Sequence, residues 1–401
     1  MATSTTTLVV LPPCLPRKDI DHLHLESFEP TEAHNDIKSQ HCIPTTASPV
    51  THTMGSILPY YVLPKVHTVI QSRSHKSILV VGSHNRSPSA LITENEKANK
   101  PFNWQRPTAT IIRTPDGDVL QLNVLPGQAY VEHYAALLST YFTSEDFAGH
   151  RVPSVRYIPP AVDACASIFA HSNLPYLGKV DIAILGYVDK LPRCAGLDKW
   201  ETGVDRVTDG GELFAWKKQI LPDGRLVAFI GCTACYWGDI GGQLIRALKV
   251  HNEIQEAIYI GKLGTLNERH IPNSILATGC SSIFPDGSVV EWKSVLEDAV
   301  KGASGVVHGV HFTGATSLSE TKEWTREWKS KVEWVDPEIG HMAKVSLEVG
   351  VGYGFLHVVS DNLSREGLEG LVDERKATIV TDRLKLLEQA DMILDKYFNR
   401  K

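Results

Sequence analysis

The sequence predicts an α/β protein, a three-layer α/β/α sandwich with a mixed central sheet, preceded by an N-terminal extension. Three observations carry this expectation. From about residue 180, short apolar runs of strand character alternate with segments of helical period. The first 75 residues are rich in Thr, Ser, Pro and His and hold no sustained period. The 401 residues are 42% hydrophobic and 21% charged, as in an ordinary globular chain long enough for two or three domains.

Taken in order, residues 1–75 read as an unstructured extension, 76–175 as a small α+β accessory region and 176–401 as the main domain. Ser77 to Gly82 reads as a first strand. Thr108 to Arg113 and Val119 to Val124 flank the turn Pro115-Asp116-Gly117. Ala129 to Phe142 is helical, with Tyr130, Tyr134, Leu137, Leu138 and Tyr141 on one face, and Val162 to Ala170 is a second helix. In the main domain Val180 to Leu185 is a strand ending at Gly186. Glu212 to Ile220 and Leu226 to Gly231 flank the turn Pro222-Asp223-Gly224. Ile240 to His251 is a helix, apolar at Ile240, Leu244, Ile245 and Leu248. Ala257 to Ile260 is a strand running into a glycine-bearing loop, Gly261-Lys262-Leu263-Gly264-Thr265. Strands follow at Ser274 to Thr278 and Val306 to Phe312. After Asp336-Pro337-Glu338 a helix buries Ile339, Met342, Ala343 and Leu347. Phe355 to Val359 is a core strand. A last helix spans about Ile379 to Phe398, apolar at Leu384, Leu386, Leu387, Met392, Ile393 and Tyr397.

A net charge of −6 supplies no electrostatic basis for nucleic-acid or membrane binding, and no run reaches the length of a membrane span. Seven scattered cysteines fit a reducing compartment better than a disulfide scaffold. Residues 1–11 lack a basic stretch ahead of their apolar run, and Asp19, Asp21, Glu26 and Glu29 disfavour an organelle transit peptide. The expected location is cytoplasmic.

Two carboxylates stand out. Asp336 and Pro337 suit a helix start, and Glu338 falls in its first turn. Glu338 reads either as a complement to the helix dipole or as an acceptor for a vicinal diol. Asp361 reads either as a turn residue or as a carboxyl group kept neutral by burial at the mouth of a strand, able to deliver a proton. Gly261-Lys262-Leu263-Gly264 reads as a tight turn or as an anion seat of backbone amides plus one ammonium. Cys232 and Cys235 read as structural thiols ahead of a redox or zinc pair, since no second half-site exists. His308 and His311 read as core histidines ahead of metal ligands. Phe312 reads as core or as a platform for a heterocycle.

These pieces, in their order, resemble the nucleoside phosphorylase and nucleosidase superfamily, the group of purine nucleoside phosphorylase and methylthioadenosine/S-adenosylhomocysteine nucleosidase. The resemblance runs from about residue 180 to 401. It is carried by Ala183-Ile184-Leu185-Gly186, by Phe229-Ile230-Gly231, and by Tyr259-Ile260-Gly261-Lys262-Leu263-Gly264, which resembles the family's I-G-S-x-G segment. Val306 to Ser317, Val335-Asp336-Pro337-Glu338 and Val359-Ser360-Asp361 complete it. The resemblance implies cleavage of the N-glycosidic bond of a purine-type nucleoside by hydrolysis or phosphorolysis. Asp361 would protonate the base and Glu338 would bind the ribose hydroxyls. Gly231, Gly261, Lys262, Gly264, Phe312, Val335, Pro337 and Ser360 would line the substrate. It implies no metal and no cofactor, with phosphate as a possible co-substrate, and a homo-oligomer. Lys262 stands where the family has Ser or Thr, and Pro337 where it has Met. A nucleoside-binding or regulatory protein on this scaffold, or one acting on a non-nucleoside substrate in a biosynthetic pathway, is the alternative.

Overall fold

In a computed structural model, which describes residues 46–72, 75, 77–94, 96, 100–114, 117–143, 153–196, 198–203, 212–365 and 376–399, the chain forms two mixed sheets flanked by helices, an α/β fold. The smaller sheet holds β1 (Ser77–Gly82), β2 (Thr108–Thr114), β3 (Gly117–Val124) and β4 (Ser154–Ile158) in the order β2-β3-β1-β4. β1 is parallel to β3 and β4, while β2 and β3 form an antiparallel hairpin. The Pro115-Asp116 part of the expected turn lies outside the described residues. The larger sheet holds β5 (Ile182–Gly186), β6 (Phe214–Ile220), β7 (Leu226–Cys232), β8 (Glu256–Thr265), β9 (Leu276–Thr278), β10 (Ser281–Ile283), β11 (Val289–Glu291), β12 (Val306–His308), β13 (His311–Thr313), β14 (Trp334–Asp336) and β15 (Gly352–Asn362). The longer helices are α1 (Gln128–Phe142), α2 (Ala164–His171), α3 (Asp239–Asn252), α4 (Lys322–Trp328), α5 (Ile339–Val349) and α6 (Ala377–Phe398). Among the described residues no helix is long and apolar enough to cross a membrane.

Strands buried on both faces carry continuous apolar runs, because successive side chains enter opposite layers. In β5, Ala183 and Leu185 join the core beneath α3 and α5, whereas Ile182 and Ile184 join the core beneath α6. The same alternation holds for Ala228 and Ile230 against Val227 and Phe229 in β7. The first of these cores continues without a break into α1 and the smaller sheet through Tyr134, Leu138, Val80 and Leu122.

β8 is the hub. On one side β15 runs parallel to it along its whole length. On the other, β5 pairs with its first half, from Ile182↔Glu256 to Gly186↔Ile260, and β14 pairs antiparallel with its end, Trp334↔Thr265 and Val335↔Gly264. The stretch from Gly261 to Thr265, expected as a loop, is therefore the second half of a ten-residue central strand. Glycine inside a strand marks close approach of a neighbour. Here the neighbour at Gly261 is the His357 ring, whose Nε2 would stand 2.6 Å from a Cβ at that position.

Other expectations need revision. Val306 to Phe312 is two short strands, β12 on β9 and β13 between β10 and β14, because the chain breaks at Gly309-Val310. His308 is exposed as a result, while His311 is fully buried. Leu347 of α5 and Leu384 and Met392 of α6 are exposed rather than buried. Within the supposed unstructured extension, residues 46–72 fold into short helical turns, Leu58–Val62 and Thr68–Gln71 among them. Leu58, Tyr61, Val62, Val66 and Ile70 recur at helical spacing and are buried in the shared core. Pro59 and Pro64 break that stripe into short turns, which hides it from a periodicity reading.

Candidate active site

The end of β14 and the start of α5 are set by one side chain. Asp336 Oδ1 accepts the N–H groups of Glu338 and Ile339, each at 2.9 Å, so the helix proper begins at Ile339 and Glu338 is its cap residue rather than a member of the first turn. Asp336 is itself enclosed. His311 Nε2 lies 3.0 Å from its Oδ1 and His357 Nε2 lies 3.7 Å from its Oδ2. His357 Nδ1 accepts the N–H of Gly261 at 3.1 Å, which leaves the ring hydrogen on Nε2, toward Asp336. Burial drives the His357 pKa down to about 4, so this imidazole is neutral at physiological pH. Burial alone would raise the Asp336 pKa; the two imidazoles and the helix N–H groups outweigh it and hold the carboxyl below its ordinary value.

Ser282, His311 and Asp336 also line up, with Ser282 Oγ 2.8 Å from His311 Nδ1. This is not a nucleophilic triad. Ser282 and His311 have no exposed surface, and the serine oxygen is held 2.7 Å from Thr313 Oγ1. The group is a buried polar strut beneath the helix start.

An ionised Asp336 acts on its neighbour. Glu338 is 8% exposed, and its pKa is driven well above the ordinary glutamate value by burial first and by the Asp336 charge second, with Lys262 opposing. Asp361 sits on the far side of β8. A bulge at Ser360 shifts the β15 register, so that Val359 faces Leu263 and Asp361 faces Gly264. The Asp361 pKa is raised by burial, against the pull of Ser360, Lys262 and Arg383. Ser360 Oγ lies 2.6 Å from Asp361 Oδ1 and 3.1 Å from the Leu263 carbonyl oxygen. One hydroxyl hydrogen satisfies one of these contacts. Both form at once when Asp361 is protonated and donates to Ser360, which then donates to Leu263.

Gly264 is where β15, which bears Asp361, meets β14, which ends two residues ahead of Glu338. A Cβ built there would stand 3.1 Å from Val335 Cγ1 and 3.2 Å from Asp361 Oδ2. Two residues earlier on β8, Lys262 lies in the electrostatic field of both Glu338 and Asp361. Glu338, Lys262, Gly264, Val335, Ser360 and Asp361 thus share one end of the sheet, with Pro337 half-buried beside them.

Other expected residues are engaged elsewhere. The space over Gly231 holds the Phe102 ring, 2.2 Å from where a Cβ would be, and Asn103 N–H bonds the Cys232 carbonyl at 2.8 Å. The place expected for substrate over Gly231 is therefore filled by the chain itself. Phe312 is buried against Trp324 and Trp328, with ring centroids 5.2 and 4.5 Å away. Burial pushes the Cys232 and Cys235 thiols up to about 12 and about 11, which makes both poor nucleophiles.

Two neighbours escaped the sequence reading. Glu320 is half-buried, and burial and the Asp361 charge push its carboxyl well above the usual range. Tyr61, whose hydroxyl lies 2.7 Å from Ser317 Oγ, feels both Glu320 and Asp361. The helical stripe from Leu58 to Ile70 was the available signal for Tyr61; Glu320 sits in a loop with none.

No protein-family model matches the chain. Among curated proteins, the oxidoreductase cns1 of Cordyceps militaris is 29% identical over 175 residues, which is 42% of this chain and 22% of that protein. The chain thus spans about a fifth of the length of the curated relative it matches. Among solved structures, futalosine hydrolase of Helicobacter pylori shares 16% identity over 54% of this chain and 97% of its own, with a TM-score of 0.41. The 5'-methylthioadenosine/S-adenosyl homocysteine nucleosidase of the same organism shares 15% over 55% of this chain and 98% of its own, also at 0.41. Purine nucleoside phosphorylase of Toxoplasma gondii shares 13% over 54% of this chain and 90% of its own, again at 0.41. These structures belong to the nucleoside phosphorylase and nucleosidase superfamily, and each match covers about half of this chain.

Proposed function

We propose that this protein cleaves the N-glycosidic bond of a purine-type nucleoside, with Asp361 as general acid and Glu338 as the holder of the ribose hydroxyls. The observation that carries the reading is that β15, bearing Asp361, and β14, which ends two residues ahead of Glu338, meet at Gly264, with Lys262 in the field of both carboxyl groups. Asp361 transfers its proton to N7 of the base as the C1'–N9 bond breaks and the bonding electrons pass to the base. Positive charge develops on the sugar and is stabilised by the carboxylate left on Asp361. Water or a phosphate oxygen then bonds to C1'. With water, the released proton restores Asp361. Glu338 accepts a sugar hydroxyl in either protonation state and accepts two when Lys262 stabilises its ionised form.

Base release from a nucleoside panel, followed chromatographically with and without phosphate, tests this. Release should occur in the wild type and fall at least a hundredfold in Asp361→Asn. Undiminished release in that variant removes Asp361 from the chemistry.

A second reading, nucleoside binding without turnover, is favoured by the Phe102 ring over Gly231. Equilibrium binding of adenosine with no base released over a long incubation would select it. A third, action on a non-nucleoside substrate, would be selected by a different class of small molecule in the mass spectrum of ligands that co-purify with the protein.

A further inference from the structure

Residues 48–57 run beside the loop that leads from β13 to α4, with His52 bridged antiparallel to Thr321. They bury little. Val50 is 80% exposed and Ile57 37%, and His52 is the one buried side chain of the stretch. A segment with so few apolar contacts opens at low cost once its polar contacts fail. Among the described residues, three hydrogen bonds tie it to distant parts of the chain. Thr53 N–H donates to the Glu320 carbonyl at 3.1 Å, Lys322 N–H donates to the Thr51 carbonyl at 2.8 Å, and the His52 ring lies 2.8 Å from the Ser317 carbonyl oxygen. Lys322 is the first residue of α4, so its N–H has no acceptor within the helix and depends on Thr51. At Gly55 the backbone takes φ +53° in open space, which supplies a free joint ahead of the Leu58–Val62 turn.

The His52 ring makes this connection only while it is uncharged. Nδ1 accepts the Met54 N–H at 3.1 Å, so the ring hydrogen is on Nε2 and donates to Ser317. The imidazole has no exposed surface. A second proton would sit on Nδ1 against the Met54 N–H, setting two donors face to face and burying a charge. Burial lowers its pKa below the ordinary 6.5, in spite of the Ser317 carbonyl. The titratable groups on the surrounding elements are Tyr61, whose hydroxyl meets Ser317, Glu320 and Lys322, whose backbone groups bond the strap, and His133 of α1, whose Nδ1 lies 2.7 Å from Thr316 Oγ1. None of these outweighs burial at His52. His67 repeats the arrangement, with Nδ1 accepting the Val69 N–H at 3.2 Å and Nε2 3.0 Å from the Leu91 carbonyl oxygen. There Leu58, Val62, Val66 and Ile70 are buried and hold the chain whatever the charge on the ring. His133 has its pKa pushed down to about 3 by burial, and its hydroxyl partner can accept as well as donate. His52 is the histidine whose charge and attachment are in direct conflict.

We propose that residues 48–57 form an acid-sensitive strap, closed while His52 is neutral and opened by its protonation, with Gly55 as the joint. Opening carries the imidazolium into water, breaks the bonds to Ser317, Glu320 and Lys322, and leaves the first N–H of α4 without its acceptor. The loop so released starts beside Asp336. Gly314 N–H donates to the Asp336 carbonyl at 3.0 Å, and Thr313 Oγ1 accepts the Gly340 N–H of α5 at 3.0 Å. The open strap takes up a proton at the ordinary imidazole value of 6.5 and the closed strap only at a lower one. Closure is therefore fully favoured above that value and is lost as pH falls toward the closed-state pKa, the open-to-closed ratio rising about tenfold per pH unit. The inference does not depend on the nucleoside reading.

Hydrogen exchange of the full chain, followed by mass spectrometry from about pH 7.5 to about pH 5.5 and corrected for the intrinsic exchange rate, is the test. In the wild type, protection of the Thr53 and Lys322 amides should fall about tenfold per unit below pH 6.5, while β8 and β15 keep theirs. His52→Gln retains a donor and an acceptor at the end of the side chain and cannot titrate. Protection at both amides should then be independent of pH, whether that variant rests open or closed. His67→Gln should keep the wild-type slope, and circular dichroism checks that each variant is folded. Wild-type protection that is the same at both ends of the range, or that is lost together with protection of β8, overturns the inference without recourse to any variant. So does a folded His52→Gln protein that keeps the slope. Nucleoside turnover enters none of these measurements, so failure of the strap and failure of the nucleosidase reading are told apart.

Discussion

Replacing Gly264 by alanine probes the site with a single methyl group. The new Cβ would stand 2.6 Å from Leu363 Cδ1, 3.1 Å from Val335 Cγ1 and 3.2 Å from Asp361 Oδ2. Carbon atoms rest at about 3.5 Å or more, so the shortfall is roughly 0.9 Å at Leu363 and about 0.4 Å at Val335. Leu363 is half-buried and can turn its terminal methyl away at about 0.5–1.5 kcal/mol. Val335 is stiff at χ1 and belongs to a strand, so the Asp361 carboxyl is the group left to move, by a few tenths of an ångström. Overpacking of this size costs about 1–2 kcal/mol, which for a chain of 401 residues lowers the melting temperature by roughly 1–2.5 °C. If an ångström of misplacement is worth about 100-fold in rate, this displacement lowers kcat by roughly 3–10-fold. Gly314→Ala is the control, because its Cβ would meet nothing closer than Phe312 Cε1 at 3.7 Å. Thermal melts and base-release kinetics on both variants decide the matter. A Gly264→Ala protein that melts lower but turns over at the wild-type rate would separate Asp361 from catalysis and refute the geometry argued above.

Further outcomes follow from the same contacts. Base release should fall as pH rises through the Asp361 pKa, which burial holds above that of an ordinary aspartate, and a rate that climbs with pH instead would mean a base and not an acid is required. Asp361 and Glu338 both have raised folded-state values, so the stability they contribute is present below ordinary carboxyl pKa values and is lost as pH rises through the folded ones. Asp361→Asn should accordingly match the wild type in melts at acidic pH and exceed it near neutrality; the opposite trend would mean that a cation, not burial, governs the group. Ser282→Ala should cost about 1–3 kcal/mol in denaturant unfolding, because His311 Nδ1 loses its nearer partner and keeps only Thr313 Oγ1 at 3.4 Å, yet leave kcat within twofold; loss of activity without loss of stability would revive the serine as a reacting group. Phe102→Ala should destabilise by about 3–5 kcal/mol, since the ring is buried over Gly231 and packs edge-on against Trp200 at 4.7 Å.

The sequence by itself determined the element types and the class of fold. Runs such as Ile182 to Leu185 and Val227 to Ile230 are apolar at every position, and only a strand covered on both faces has use for that pattern. It also determined the helix start, since Asp336 two residues ahead of Glu338 supplies an acceptor for free N–H groups whatever surrounds it. Tertiary structure decided the rest. Gly261 to Thr265 looked like a loop because glycine weakens a strand in isolation, and it is a strand because β14, β15 and the His357 ring close on it from other parts of the chain. The raised carboxyl groups of Asp361 and Glu338 depend on burial and, at Glu338, on the Asp336 charge, both against the pull of Lys262, and no local pattern encodes these quantities. Tyr61 reaches the neighbourhood of Asp361 from a helical stripe that Pro59 and Pro64 interrupt. Contacts between residues hundreds of positions apart are settled by packing free energy, which is a property of the assembled core and not of any single segment.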